Sequence, residues 1–359
     1  MTTSSLPHLE GPVCPMPLNH GDQIVMGDGS GGQMSQQLIT NVFQSRLTSE
    51  ALAANNDFGS VAFPNASQLK GRVVVSTDSH IVAPLVFPGG DIGKLAVCGT
   101  VNDVSMSGAV PLYLTAGFIL EEGLPTRLLE QIVDSMRDAA QEAGVQFVAG
   151  DTKVVEKGKA DGMFINTTGI GWLPEGTSIG GECAKPGDVV LVSGTLGDHG
   201  IAVLSARGEL GFETEVQSDT APLNGLIQAV LQAAPHTHVL RDPTRGGLAT
   251  TLNEIAAQSK VAIHLDETAI PVNPVVRNAC EFLGFDPLYI ANEGKVIVIV
   301  PPNEAEAALA AMRHNHYGQN AARVGVVEAT PAGLVLLKTI IGGTRVLNTL
   351  AGEILPRIC

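Results

Sequence analysis

Halfway along the chain, residues 174–188 read "PEGTSIGGECAKPGD", a stretch crowded with glycine and proline. Such a stretch breaks both strand and helix patterns. On each side of it, short apolar runs of strand length alternate with helical periodicity. Each half is long enough to enclose a core of its own. The expected class is therefore α/β (α+β), with two mixed-sheet domains over about 21–175 and 186–345. Residues 1–20, rich in Pro, Ser and Thr, read as a flexible arm, and 346–359, without a strong period, as a mobile tail.

Composition narrows the partners. Hydrophobic residues make up 44% of the 359, glycines number 41 and aromatics only 4%. That balance suits tight turns near ligands, not a disordered chain. The formal charge of −15 argues against nucleic acid, which needs a basic face. It leaves room for a nucleotide, because a divalent cation can stand between carboxylates and phosphates. No apolar run reaches membrane-span length, and the first residues lack a secretory pattern. The cysteines (Cys14, Cys98, Cys183, Cys280, Cys359) are widely spaced with no CxxC. Neither a disulfide framework nor structural zinc is expected, which suits a reducing cytoplasm.

Four acids share one local grammar. Asp78 ends the strand "RVVVSTDS", Asp103 sits in the small-residue helix "DIGKLAVCGTVNDVSMSGA", Asp151 follows "VQFVAG", and Asp242 ends "HVLRD". Carboxylates at strand ends can meet at one sheet edge and hold Mg²⁺ on a nucleotide. The competing reading is that each caps a turn or helix.

Glycines flank several of these positions. "GDGSGG" sets Gly27, Gly29 and Gly32 in G-x-G-x-x-G spacing before a helical pattern. The strands of a dinucleotide fold are missing around it. A loop covering phosphates through Gly29, Gly31 and Gly32 competes with a plain turn. "RDPTRGGL" puts Arg245, Gly246 and Gly247 at a helix start suited to an anion, and "SGTLGDHG" offers Gly197, Asp198 and His199 after a strand. Lys153 is a candidate phosphate ligand or base, and Glu293 in "ANEGK" a candidate base or ligand. A surface lysine and a hairpin turn are the plainer alternatives.

The sequence closes on "GEILPRIC", with Cys359 last. The fourteen residues from Val346 could span roughly 45–50 Å if extended. A thiol on such an arm can visit two places; the alternative is a frayed end.

Taken in order, "GDGSGG", "STDS", "FPGGDIGKLAVCGTVNDVSMSGA", "FILEEGLP", "VAGDTKVV", "FINTTGIG", "VLVSGTLGDHG", "RDPTRGGL", "ANEGK" and "PRIC" resemble the HypE family of hydrogenase maturation proteins. That family lies in the superfamily of aminoimidazole ribonucleotide synthetase and selenophosphate synthetase. The likeness runs over about 21–359 and implies two PurM-like domains, the N-terminal ones pairing two copies through a β-barrel with ATP sites nearby. It implies an ATP-dependent carbamoyl dehydratase. A HypF-like carbamoyltransferase would load the terminal thiol, matched by Cys359. Dehydration of the thiocarboxamide would give a thiocyanate, and the cyanide would pass to iron on a HypC–HypD scaffold for a nickel–iron centre. The matched motifs imply Asp78, Asp103 and Asp242 for Mg²⁺–ATP, with Asp151 and Asn102 beside them, and Lys153 or Glu293 as the base. Asp28 stands where a His is expected in many relatives, so no role follows for it.

Two other readings compete. A selenophosphate synthetase-like phosphotransferase would need Cys or selenocysteine followed by Lys beside the glycine loop, where this chain has "QMSQQ". A non-catalytic adaptor would have no use for Asp78, Asp103, Lys153 and Asp242.

Overall fold

The computed structural model describes residues 22–25, 28, 37–49, 70–208, 215–349, 355 and 357–359. The expected arm and the candidates Gly29, Gly31 and Gly32 lie outside these residues.

The N-terminal half follows the order β1 (Gly71–His80), β2 (Val86–Phe87), β3 (Gly90–Asp91), α1 (Ile92–Met106), β4 (Val110–Glu121), α2 (Thr126–Ala143), β5 (Gln146–Val155) and β6 (Met163–Pro174). Four of these strands form a sheet ordered β1-β6-β4-β5. Helix α1 starts where the Asp91 carboxylate accepts from the Gly93 and Lys94 amides, an N-cap. It is buried almost all round, as an apolar small-residue helix must be. Its Gly93 lies so close to α2 that a Cβ there would sit 2.4 Å from the Ile132 carbonyl oxygen. The opposite face of the sheet is open, with Val73 47% and Val75 60% exposed.

The C-terminal half holds β7 (Val189–Val192), α3 (Asp198–Ala206), α4 (Asn224–Ala233), β8 (Val239–Arg241), α5 (Gly247–Ser259), β9 (Ala262–Asp266), α6 (Pro274–Leu283), β10 (Ile297–Val300), α7 (Ala305–His314), β11 (Ala322–Glu328), β12 (Val335–Lys338) and β13 (Thr344–Leu347). Its seven-stranded sheet runs β13-β12-β9-β11-β7-β10-β8. β7 and β10 are buried at every position, which explains their unbroken apolar sequence. β13 extends the sheet to Leu347, past the boundary expected at 345.

"PLYIANEG", which has a strand-like pattern, forms no ladder. Asp286 caps a 3₁₀ turn at Pro287–Tyr289. Beyond the turn, Asn292 pins the backbone by accepting from the Gly197 amide and donating to the Pro243 carbonyl. Side-chain and loop main-chain bonds, not strand neighbours, hold this segment.

The two halves are not separate cores. One apolar cluster passes from α1 and α2 into α3 and α6, and takes in Leu355 and Ile358 of the tail. Asn102 of α1 stitches the junction: its amide donates to the Ala221 carbonyl at 3.0 Å and accepts from the Leu223 amide at 2.8 Å.

Candidate active site

Strand alternation builds the first wall of the site. Asp78 pairs across the ladder with buried Thr167, so it faces α1, and His80 two residues on shares that face. His80 Nε2 lies 3.6 Å from Asp78 Oδ2. From α1, Asp103 accepts a 2.8 Å hydrogen bond from Ser76 Oγ. Asp242 and Arg245 come from the turn between β8 and α5, and Glu293 from the segment before β10.

These groups sense one another. Burial and then the Asp78 charge raise Asp103 above the ordinary carboxylate range. Burial, followed by Asp103, pushes Asp242 up to about 7. Burial, then the carboxylates of Asp242, Asp219, Asp78 and Asp103, hold Glu293 well above its usual value. Burial and these like charges thus favour the protonated form of Glu293. Burial depresses His80, against the pull of Asp78, so the ring is neutral.

The cluster has the donors for a hard cation but no closed cage. Among the described residues, no three His, Cys, Asp or Glu side chains converge closely enough to hold a metal ion. Mg²⁺ commonly takes one or two carboxylates and fills its other positions with water and phosphate oxygens. Repelling oxygens with raised pKa values fit such an ion. So do two orphaned buried groups: among the described residues, Glu293 Oε1 and both His80 nitrogens have no hydrogen-bond partner.

The other candidates fall in three places. Arg245 lies within electrostatic reach of His80 and Asp103, so it joins the cleft. Gly246 turns the chain there at φ +77°, and a Cβ would meet Thr250 Oγ1 at 2.4 Å. Asn102 faces the domain junction, both sides of its amide committed to backbone, so a nucleotide contact from it is not seen. Gly197 and Asp198 are also turned away. The Gly197 amide is held by Asn292 Oδ1 at 2.8 Å. Asp198 is buried and accepts from Thr195 Oγ1.

Asp151 and Lys153 pair with each other at 2.8 Å on the open face of the sheet. A β-bulge explains this. Val148 is extra between Phe147 and Ala149 where β5 meets β4, and one extra residue flips every side chain beyond it. Within one chain, neither residue reaches Asp78.

The tail is docked. Ile81 N donates to the Cys359 carbonyl at 3.1 Å and Ala83 N to the Arg357 carbonyl at 3.3 Å. Residues 357–359 thus run alongside Ile81–Ala83 in the opposite direction, beginning three residues beyond Asp78. Ile358 is 3% exposed. The tail expected to be mobile is held inward here by main-chain bonds. The buried thiols of Cys98 and Cys280 are pushed up, the latter to about 11, so they do not compete as nucleophiles.

Residues that the sequence did not single out complete the picture. His80 was signalled by its parity with Asp78. Asp219, which accepts from the Glu293 amide and pairs with Lys295 at 3.0 Å, lies in a stretch without period and gave no signal.

A cluster of carboxylates drawn from two mixed α/β domains fits the class of AIR synthase-related proteins. Family models described as the AIR synthase related protein N-terminal and C-terminal domains match residues 61–173 and 185–337. Within that class the chain belongs to the HypE family of hydrogenase maturation proteins. It is 54% identical over 344 residues to "Carbamoyl dehydratase HypE" of Cupriavidus necator, covering 96% of this chain and 97% of that one. A solved structure of HypE in complex with ATP superposes with TM-score 0.88 at 52% identity, over 93% of this chain and 99% of that one. A HypE–HypF complex aligns with TM-score 0.75 at 52% identity, over 87% and 99%.

Proposed function

We propose that this chain uses ATP to dehydrate a carbamoyl group carried on its own Cys359, supplying a cyanide ligand for nickel–iron hydrogenase assembly. The observation that carries this reading is the docked tail, whose Cys359 carbonyl accepts from Ile81 N, three residues beyond Asp78 of a carboxylate cluster that suits Mg²⁺ and a nucleotide. The named relatives support the dehydratase, and the solved complex with ATP supports the nucleotide.

Asp78, Asp103 and Asp242 would hold Mg²⁺, which neutralises phosphate charge. Arg245 and the start of α5 would face the phosphates. Bound ATP supplies the phosphoryl group that turns the amide oxygen into a leaving group. Overall, the thiocarboxamide and ATP become thiocyanate, ADP and inorganic phosphate, with the two nitrogen protons lost and the carbamoyl oxygen leaving in phosphate. Glu293 is the group to receive one of those protons, and the other leaves on the departing phosphate. With positive charge among the three aspartates, the repulsion that favours the protonated form of Glu293 falls, and its carboxylate can serve as a base.

The open sheet face, lined by Val73, Val75 and Ile119, is assigned to pairing of two copies. Lys153 then lies in that interface, and its part in the chemistry is across the pair. A HypF-like carbamoyltransferase would load the thiol and a HypC–HypD iron scaffold would receive the cyanide, both with the tail released. Among the described residues no helix is long and apolar enough to cross a membrane.

The test is intact-mass analysis after incubation with the carbamoyltransferase, carbamoyl phosphate and ATP. An adduct is expected on Cys359, followed by ATP-dependent loss of one water. The same adduct on Cys359→Ala would refute the carrier role.

A further inference from the structure

The "GDHG" turn, absent from the acidic cleft, touches the tail instead. We infer that His199 and Arg207 are positioning residues that hold residues 357–359 against Ile81–Ala83 in a single register. The "GDHG" motif then serves tail capture. This inference rests on the proposed carrier role of Cys359 and adds which groups deliver it.

Two main-chain hydrogen bonds to a three-residue segment cannot hold it by themselves. Further grips fix them. His199 Nε2 meets the Ile358 carbonyl at 2.8 Å, and its Nδ1 meets Ser218 Oγ at 2.8 Å. A carbonyl only accepts, so Nε2 carries the proton and Nδ1 accepts from the serine hydroxyl. Ser218 Oγ in turn accepts from the Thr220 amide at 3.1 Å. The ring, buried and edge-on to Phe87, is fixed in one tautomer aimed at the tail. Arg207, at the end of α3, bridges the pairing. Its Nε donates to the Ala83 carbonyl at 2.9 Å and its Nη2 to the Arg357 carbonyl at 2.8 Å. A planar fork holds two carbonyls at a fixed spacing; a lysine ammonium, a point charge on a flexible stem, does not fix that geometry.

The tail is shaped to this receptor. Arg357 adopts φ +53°, a strained conformation for a residue with a Cβ, which persists only when its surroundings fix it. Its guanidinium pairs with Asp161 and donates to the Ile81 carbonyl. Gly200 of α3 leaves room for Leu355, whose Cδ1 lies 3.2 Å from where a Cβ would be. A slip of one residue would turn Ile358 out of the core beside Val82. The grips of His199 and Arg207 act on main-chain oxygens, so a group added at Sγ leaves them intact. The same dock can receive the thiol before and after loading.

Arg207→Gln tests this, with His199→Phe as the second variant. Three rates are read: carbamoyl loading of Cys359, ATP-dependent loss of water from the loaded chain, and release of Cys359 by carboxypeptidase. The expected result is retained loading, dehydration slowed about tenfold, and release about tenfold faster, the scale of one buried hydrogen bond. Arg207→Lys should rescue poorly. The inference is overturned if both variants dehydrate and release Cys359 at the wild-type rates. It is also overturned if loading and dehydration fall in parallel, as a general structural defect would cause. Carboxypeptidase release reports the dock even if Cys359 takes up no carbamoyl group, which separates this inference from the carrier role.

Discussion

In the cleft, Asp78, Asp103, Asp242 and Glu293 crowd like charges together and leave buried polar atoms without partners. A few residues further along the path of β1, His199, Arg207 and Asp161 each meet a defined group of the tail. The first region is electrostatically incomplete and so is made to receive a cation and phosphates. The second is mostly satisfied, with Arg357 Nη2 as its one buried orphan among the described residues, and so is made to hold a peptide. Chemistry and delivery are thereby separable: substitutions in the cleft should alter the reaction, and those at the dock its supply.

The largest expected effect is at Glu293. Glu293→Gln keeps the shape and hydrogen-bonding capacity of a protonated carboxyl but cannot accept a nitrogen proton. Dehydration should fall by about 10²–10⁴-fold, while loading of Cys359 by the carbamoyltransferase is unchanged. Dehydration at the wild-type rate would remove Glu293 from the reaction and erase the contrast with the dock.

A smaller effect should appear in stability. Asp242 titrates near 7 in the folded chain, against 3.8 as its reference value. Between those values the folded state binds the extra proton, so stability falls as pH rises, by at most roughly 1.4 kcal/mol per pH unit from this group. Above pH 7 its full cost is present; below 3.8 none is. In chelator, Asp242→Asn should therefore melt above the wild type at pH 8, with the gap closing toward pH 4. A gap independent of pH would contradict the crowding. Arg207→Gln, whose partners are carbonyls, should leave that pH dependence as in the wild type.

The sequence carried the chemistry of the cleft better than its geometry. Asp78, Asp103 and Asp242 were legible because each follows or sits within a recognisable element, beside small residues. Asp151 has the same local grammar, yet the bulge at Val148 turns it and Lys153 to the other face. Nothing in the β5 sequence announces that extra residue; it is set by pairing with β4. Gly197 and Asp198 look like a phosphate turn by composition, but Asn292, far along the chain, takes the Gly197 amide. The tail had no strand pattern because three residues carry no period, and its partners His199 and Arg207 are joined to it only by tertiary contact. That the chain folds into two mixed α/β domains was legible in its alternation of strand and helix patterns. The shared core was not, because apolar residues do not declare which neighbour they cover.

The proposed activation of the amide oxygen is tested most directly by isotope transfer. Cys359 would be loaded from carbamoyl phosphate labelled with ¹⁸O at the carbamoyl oxygen, and a single turnover run with ATP. The expected result is one labelled oxygen in the inorganic phosphate released. Label appearing in water, with unlabelled phosphate, would contradict phosphorylation of the amide oxygen.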